Sequence, residues 1–547
     1  MKKVFALLFL LFLISLSFSV QAQTGLSLSI RSHLVVIDDN QGNFPSDKNV
    51  RFYREIFDFY KNRYYKAFWT EGGMFNQKFA VLLEEIDKSY KEGLNPRDYH
   101  IEFINELLAE DIFAEDNTDM RAMFEIYATD AYLNLAADYL SGKLNPEVIL
   151  GKGNLSYDSL NFDELFSALT EEKNIAEVLQ EQLPSSRDYR KLKEKLHYYR
   201  DSGKISAWNK IRPGGLLALK AEGERVKQLI DNLAARNYLN KADISDPYFF
   251  DEQLKNALQR FQRDNGLKTD GIVGFKTLET LNIPYSRRVK QIIINMERWR
   301  WLPEDLGKKY LYVNIADYNL KLIENETTLM SMKTIVGHRQ RSTPVFSDRI
   351  EYLVFNPYWY VPKKIAVEDK LPILKENPQY LDENNYTVLQ YSSNNKLEKV
   401  NAEKIDWQEI NKDNFNYILR QEPGDINALG RVKFMFPNKF SVYLHDTPSK
   451  GLFEENERGF SSGCIRIERP FDLAEYLLKD NSSWNRKRIN EILKSGEHRI
   501  VYLQEQMPIF IQYNTSWVDR SGHFNFRQDI YNRDEKLISL YFEEKKE

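Results

Sequence analysis

The sequence predicts a multidomain α+β protein: a mostly helical N-terminal scaffold, a small three-helix module, and a mainly β C-terminal domain carrying an inserted segment. Three observations predict it. Apolar side chains recur at helical spacing through the first part of the chain, and from about Lys309 the texture changes to short alternating runs rich in β-branched and aromatic residues. The chain has 547 residues, too many for one core, so several domains are expected. Hydrophobic residues at 42% and charged residues at 29% are ordinary for a soluble globular protein. A formal net charge of −4 with no long basic block argues against nucleic acid as a partner.

The N-terminus sets the expected compartment. Lys2 and Lys3 precede an apolar run from Val4 to Val20, and Val20-Gln21-Ala22 places small residues where a signal peptidase cuts. Residues 1–22 therefore read as a secretory signal, and the mature chain is expected in the periplasm or cell envelope, soluble after cleavage. An uncleaved anchor is disfavoured by the shortness of the run and the cleavage site. No Cys lies near that site, and no later stretch is apolar enough to span a membrane.

A polar stretch follows to about Asn49. Phe52, Ile56, Tyr60, Tyr64 and Phe68 then predict a helix ending near Trp69 and Gly72-Gly73. Phe79, Leu82, Leu83 and Ile86 predict a second, stopped at Gly93-Leu94-Asn95-Pro96, and Met123, Phe124, Tyr127, Ala131 and Leu135 a third, running to Gly142. These stripes read as core, and residues 45–210 as one helical domain. In the next module, residues 222–284, Val226, Leu229, Ile230 and Leu233 share one helical face, and Leu254, Leu258 and Phe261 another. Asn265-Gly266 is a helix stop, Asp270–Gly274 a tight turn, and Thr277-Leu278 the opening of a third helix.

Residues 305–505 carry the strands: Tyr310–Ile315, Leu320–Ile323, Lys333–Val336, Ile350–Phe355 and Phe440–Leu444. Interrupting them, residues 362–425 form a polar insertion with a helical start at Ile365–Leu374 and few strand signals, which reads as a lid. Residues 506–547 are an aromatic and charged tail with no role assigned.

One cysteine occurs, Cys464. It is either a buried inert thiol or a used one. His445 ends the apolar strand Val442-Tyr443-Leu444, nineteen residues earlier. An imidazole beside a thiol can take its proton and activate it for covalent acyl transfer. Gly463 lets the backbone come close to a substrate, and N–H groups around Gly463–Cys464 can face a developing oxyanion. On a strand Arg466 would share a face with Cys464, where it could pair with a substrate carboxylate. The spacing alone is also a common accident. His33, His100, His197, His338, His498 and His523 have no comparable setting. No second Cys or paired His could complete a metal site, so neither metal nor cofactor is expected.

The motifs decide between these readings. Phe261-Gln262, Gly266-Leu267, Asp270–Gly274 and Thr277-Leu278 resemble the three-helix peptidoglycan-binding domain; the alternative is a spacer. His445-x-Thr447 and Ser461-x-Gly463-Cys464-Ile465-Arg466 resemble the YkuD-type L,D-transpeptidase signature. Asn295–Pro303, Thr343–Ser347, Asn356–Pro362, Asn427–Gly430 and the domain order resemble its large YcbB-like subgroup. Asp446 stands where the generic family often has Gly, and Ser462 where it often has His.

The resemblance implies a β-sandwich-like catalytic domain closed by the 362–425 segment, with Cys464 as nucleophile and His445 as base. It gives Gly463, Ser462, Ser461 and Thr447 oxyanion or orienting roles, and Arg466, Tyr443 and Trp359 substrate contacts, although Tyr443 and Trp359 would equally suit a core. Cys464 would attack the L,D bond before the terminal D-alanine of a tetrapeptide stem, and the amine of a second stem would complete a 3→3 crosslink. The partners implied are peptidoglycan stem peptides and glycan, with other wall synthases compatible. Trimming or cleavage by water is a rival outcome of the same chemistry, and a non-catalytic wall-binding scaffold is a rival of another kind. The acceptor diamino acid and the oligomeric state have no counterpart in the sequence.

Overall fold

The computed structural model describes residues 25–43, 49–151, 159–171, 173–202 and 210–543; the expected signal segment, residues 1–22, lies outside them. Among the described residues no helix is long and apolar enough to cross a membrane.

The N-terminal helices pack around one central helix, Thr118–Ser141, buried on nearly every side. A helix with that much buried surface must place its polar groups against partners. Glu125 accepts hydrogen bonds from the backbone N–H groups of Phe68 (2.7 Å), Trp69 (2.9 Å) and Thr70 (2.8 Å), and from the hydroxyls of Thr70 and Tyr60. Asp130 holds His100 at 2.7 Å, and Asp138 pairs with Arg51 at 2.9 Å.

Glu125 also explains a departure from the sequence pattern. The helix predicted from Phe52 to Phe68 ends at Asn62, and Tyr64 and Tyr65 turn with positive φ. The chain leaves the helix there because the N–H groups of 68–70 are needed by the carboxylate. A second departure precedes it. Within the stretch read as polar, residues 25–39 are helical and bury Leu26, Ile30, Leu34 and Ile37 in the same core.

Residues 222–281 contain the three expected helices, Glu224–Ala235, Glu252–Asp264 and Phe275–Leu281. The fully buried Gln262 is the module's internal tie. Its amide donates to Asp270 and to the Ile272 carbonyl, both at 3.0 Å, and accepts from the Gly271 N–H at 2.8 Å. The motif that suggested a binding module is therefore, at Gln262, a packing device.

Helix Tyr285–Arg300 joins the modules. Arg300 is fully buried and donates to Glu297, the Glu92 carbonyl and the Tyr189 hydroxyl. Glu297 accepts from the Leu144 N–H at 2.7 Å and lies where a Cβ on Gly142 would stand, so Gly142, at φ 83°, admits no side chain.

The C-terminal domain holds nine strands in one sheet among the described residues: β1 (Lys309–Asn314), β2 (Asn319–Glu324), β3 (Thr327–Gly337), β4 (Phe346–Phe355), β5 (Val432–Met435), β6 (Leu444–His445), β7 (Gly459–Ser461), β8 (Ile465–Ile467) and β9 (Arg499–Gln512). The order is β7-β3-β8-β6-β5-β4-β9-β1-β2, and β2 pairs back onto β3, so the sheet closes on itself. Its core gathers Leu311, Val336, Leu353, Phe434, Leu444 and Ile465, with helices Pro470–Leu477 and Arg486–Ser495 packed against them.

Two expectations shift here. The insertion, read as poor in strands, contains a four-stranded sheet made with Trp359–Tyr360, Tyr386–Tyr391, Leu397–Lys399 and Ile418–Gln421, around its own core of Leu374, Val388, Trp407 and Leu419. The tail from 506 is not an appendage. Strand β9 runs to Gln512 between β1 and β4, hairpin Ser516–Val518/Phe524–Phe526 follows, and helix Arg533–Phe542 packs into the N-terminal core through Leu537, Ile538 and Tyr541.

Candidate active site

The outer face of the sheet assembles the candidate residues in two rows. Parallel pairing sets Leu444 opposite Ile465 and His445 opposite Arg466, and antiparallel pairing sets Lys433 opposite His445. Leu444, Ile465 and Phe434 point into the core, so by the two-residue alternation of strands Lys433, Tyr443, His445, Cys464 and Arg466 share the other face. Lys433, His445 and Arg466 make one row across three strands, and Tyr443 and Cys464 lie two residues further along. The Tyr443 and His445 rings meet edge to face at 5.7 Å.

The loop before β8 is shaped by its serines. The Ser461 hydroxyl donates to the Cys464 carbonyl at 2.5 Å and accepts from the Gly463 N–H at 3.1 Å. That engages the Gly463 N–H, so the expected pair of oxyanion donors reduces to the Cys464 N–H, which meets no acceptor among the described residues. Gly463 sits at φ 116°, a conformation other residues resist. Its carbonyl accepts from the Thr343 hydroxyl at 2.8 Å. Thr343 is in turn held by the tail: its carbonyl accepts from Arg533 at 2.8 Å, and Tyr531 donates to the Gly337 carbonyl alongside. The Thr343–Ser347 stretch carried a resemblance in the sequence, but nothing there marked Tyr531 or Arg533, which lie about 190 residues further on.

Ser462 is exposed and its hydroxyl accepts from Arg341 at 3.0 Å. The same guanidinium grips Glu368 at 2.6 Å and Asp369 at 2.6 Å, clasping the insertion to the cysteine loop. Thr447 is buried and its hydroxyl accepts from the Ser449 N–H at 3.2 Å, which fixes the turn after His445. Trp359 packs within the insertion, its ring 6.4 Å from Tyr386, and is not brought into the two rows. Asp446 braces the strand ends: its carboxylate accepts from the Arg431 N–H at 2.9 Å, pairs with Lys450, and lies against Gly430.

His445 is buried and its Nδ1 lies 2.5 Å from the Asp446 carbonyl. A carbonyl can only accept, so Nδ1 carries the proton and Nε2 keeps its lone pair. Burial, with the charge of Arg466 second, pushes the His445 pKa down to about 3. The unfolded chain therefore binds a proton that the fold refuses as pH falls from 6.5 toward that value, and stability is lost across that window. Burial raises the Cys464 thiol above its ordinary value, against the opposing pull of hydrogen bonds with Tyr443 and the charges of Arg466 and Lys433. The resting pair is a neutral thiol and a neutral imidazole, not the ion pair that proximity alone suggests.

Alkylation of Cys464 by iodoacetamide, which draws on the thiolate already present and not on proton removal during the attack, should accordingly rise about tenfold per pH unit from pH 6 to 9. A rate independent of pH between 5 and 8 would show a preformed ion pair instead. The described residues contain no group of three or more His, Cys, Asp or Glu suited to a metal ion.

A family profile for the L,D-transpeptidase catalytic domain, YkuD, matches residues 308–489, the stretch that holds both rows. The C-terminal domain is a YkuD-type L,D-transpeptidase domain. Ahead of it, residues 222–281 match a "Putative peptidoglycan binding domain" and residues 54–196 a scaffold domain. A curated relative, "Putative L,D-transpeptidase" of Haemophilus influenzae, is 28% identical over 422 residues, which cover 77% of this chain and 75% of that one. Among solved structures, an L,D-transpeptidase of Xylanimonas cellulosilytica aligns at 12% identity over 55% of this chain and 99% of its own, with a TM-score of 0.15. A fused zinc-dependent amidase/peptidase with a peptidoglycan-binding domain from Clostridium acetobutylicum aligns at 11% identity over 55% of this chain and all of its own, with a TM-score of 0.14. The YkuD domain thus sits behind a scaffold and a wall-binding type of module in one chain.

Proposed function

We propose that this chain forms 3→3 crosslinks in peptidoglycan through a thioester on Cys464. The observation that carries the reading is the shared face on which a partly exposed thiol and a buried imidazole with Nε2 unprotonated lie on adjacent parallel strands. Sulfur attacks the carbonyl of the L,D bond in a donor tetrapeptide while His445 Nε2 takes the thiol proton. The Cys464 N–H faces the oxyanion. The C–N bond then breaks, and His445 returns the proton to the departing D-alanine amine. In the second half the side-chain amine of an acceptor stem attacks the thioester, gives its proton to His445, and frees the thiol. The signal at residues 1–22 would deliver the chain to the envelope where such stems occur.

Incubation of the mature protein with a tetrapeptide donor, with and without an amine-bearing acceptor stem, tests this. The expected products are a crosslinked dimer with acceptor and little tripeptide. Tripeptide in equal yield whether or not acceptor is present would make the chain a trimming enzyme. Absence of any donor turnover, with wall binding retained, would make it a scaffold.

A further inference from the structure

Lys433 was not marked by any sequence motif, yet it stands in the row that contains His445. The cross-strand register puts it beside His445 on one side, as Arg466 is on the other. Its ammonium lies 5.5 Å from the centre of the Tyr443 ring, on the side chain that neighbours Cys464. It is partly buried, and among the described residues no carboxylate pairs with it. Arg466 is in the same state: half-buried, in no ion pair among the described residues, with its Nε meeting no acceptor. Half-buried cations normally find an anion, because desolvation without a partner is costly. The acids nearest in sequence are engaged elsewhere: Glu468, two residues from Arg466, accepts from the Lys333 N–H at 3.1 Å, Asp425 pairs with Arg431, and Asp446 is turned to the Arg431 N–H and Lys450. The backbones that carry these two unneutralised cations thus bracket His445, about 10 Å apart across two strand spacings, with the backbone of Cys464 about 7 Å along the strands.

Long side chains rising on either side of His445 can converge on one anionic group between them. With the scissile carbonyl over Cys464, the departing nitrogen faces His445, and the carboxylate of a single terminal amino acid reaches the Lys433–Arg466 row. We propose that Lys433, with Arg466, anchors the free terminal carboxylate of the donor peptide, so that the site accepts a stem only when one residue follows the scissile bond. The inference rests on the acyl-transfer reading above. Ammonium and guanidinium donors to a carboxylate make charge-assisted hydrogen bonds, which an uncharged amide cannot match.

The test compares a donor tetrapeptide ending in D-alanine with the same peptide ending in D-alaninamide, by kcat/KM for release of the last residue. The wild type should favour the free acid by about tenfold or more. Lys433→Met should collapse that preference and Lys433→Arg should keep most of it. Because the readout is a ratio within one preparation, a partly unfolded variant does not distort it. A wild type with no acid preference, or a Lys433→Met chain that slows both donors equally with the preference intact, overturns the role of Lys433 and leaves the acyl-transfer reading standing. A wild type that releases nothing from either donor removes that reading itself.

Discussion

On the proposed mechanism a carbapenem, whose strained lactam carbonyl offers the thiol an amide to open, should acylate Cys464, and His445→Ala should slow that acylation by about 10²–10⁴-fold, the usual contribution of a positioned general base. Cys464→Ala should take up no mass at all. The structure makes the first loss specific. Burial holds the thiol protonated at neutral pH, so without an acceptor the attack depends on the small thiolate fraction. The residual rate should therefore climb tenfold per pH unit, whereas the wild-type rate should stay level from pH 5 to 8, because His445 remains neutral down to about 3. His445→Gln, closer in size, should behave like the alanine variant in rate and pH slope. Intact-mass measurements over time read all four chains. A wild-type rate that falls through pH 6.5, or a His445→Ala rate within threefold of wild type, would remove His445 from the proton path.

Ending the chain at residue 505 should abolish the folded catalytic domain. That edge looks natural in the sequence, but it cuts β9 between its two paired halves. Ile509 and Ile511 are fully buried in the sheet core, while Phe510 between them is buried in the N-terminal core. One strand thus supplies side chains to two cores by alternation. Truncating a single buried isoleucine costs about 2–5 kcal/mol, and a whole domain is stable by only about 5–15 kcal/mol, so losing the strand segment exceeds what the fold can bear. The shortened chain should show no cooperative thermal transition for this domain and no acylation. A cooperative transition with acylation at the wild-type rate would mean the tail is dispensable.

What was legible in the sequence had local causes. The Cys464 and His445 motifs, the stops at Gly93 and Gly142, and the faces of the three-helix module are written within a few residues of each other. What was missed is long-range. Glu125 draws in the N–H groups of residues 68–70, more than fifty positions upstream, and the helix before them ends at Asn62. Leu26, Ile30, Leu34 and Ile37 carry a helical spacing that was present in the sequence but overshadowed by their polar neighbours. The strands of the insertion are short, and Trp359–Tyr360 finds its partner only in Ile418–Gln421, about sixty residues further on. Lys433 becomes visible only when register places it beside His445.

The hold of Tyr531 and Arg533 on the Gly337–Thr343 loop sets a clock on the appearance of reactivity. Tyr531 is made 67 residues after Cys464. At about 5–20 residues per second, a nascent chain carries its cysteine for roughly 3–13 s before the parts that seat the reactive loop exist. Until then the thiol is a side chain without a workplace, and a polypeptide interrupted in that interval would leave the ribosome chemically mute.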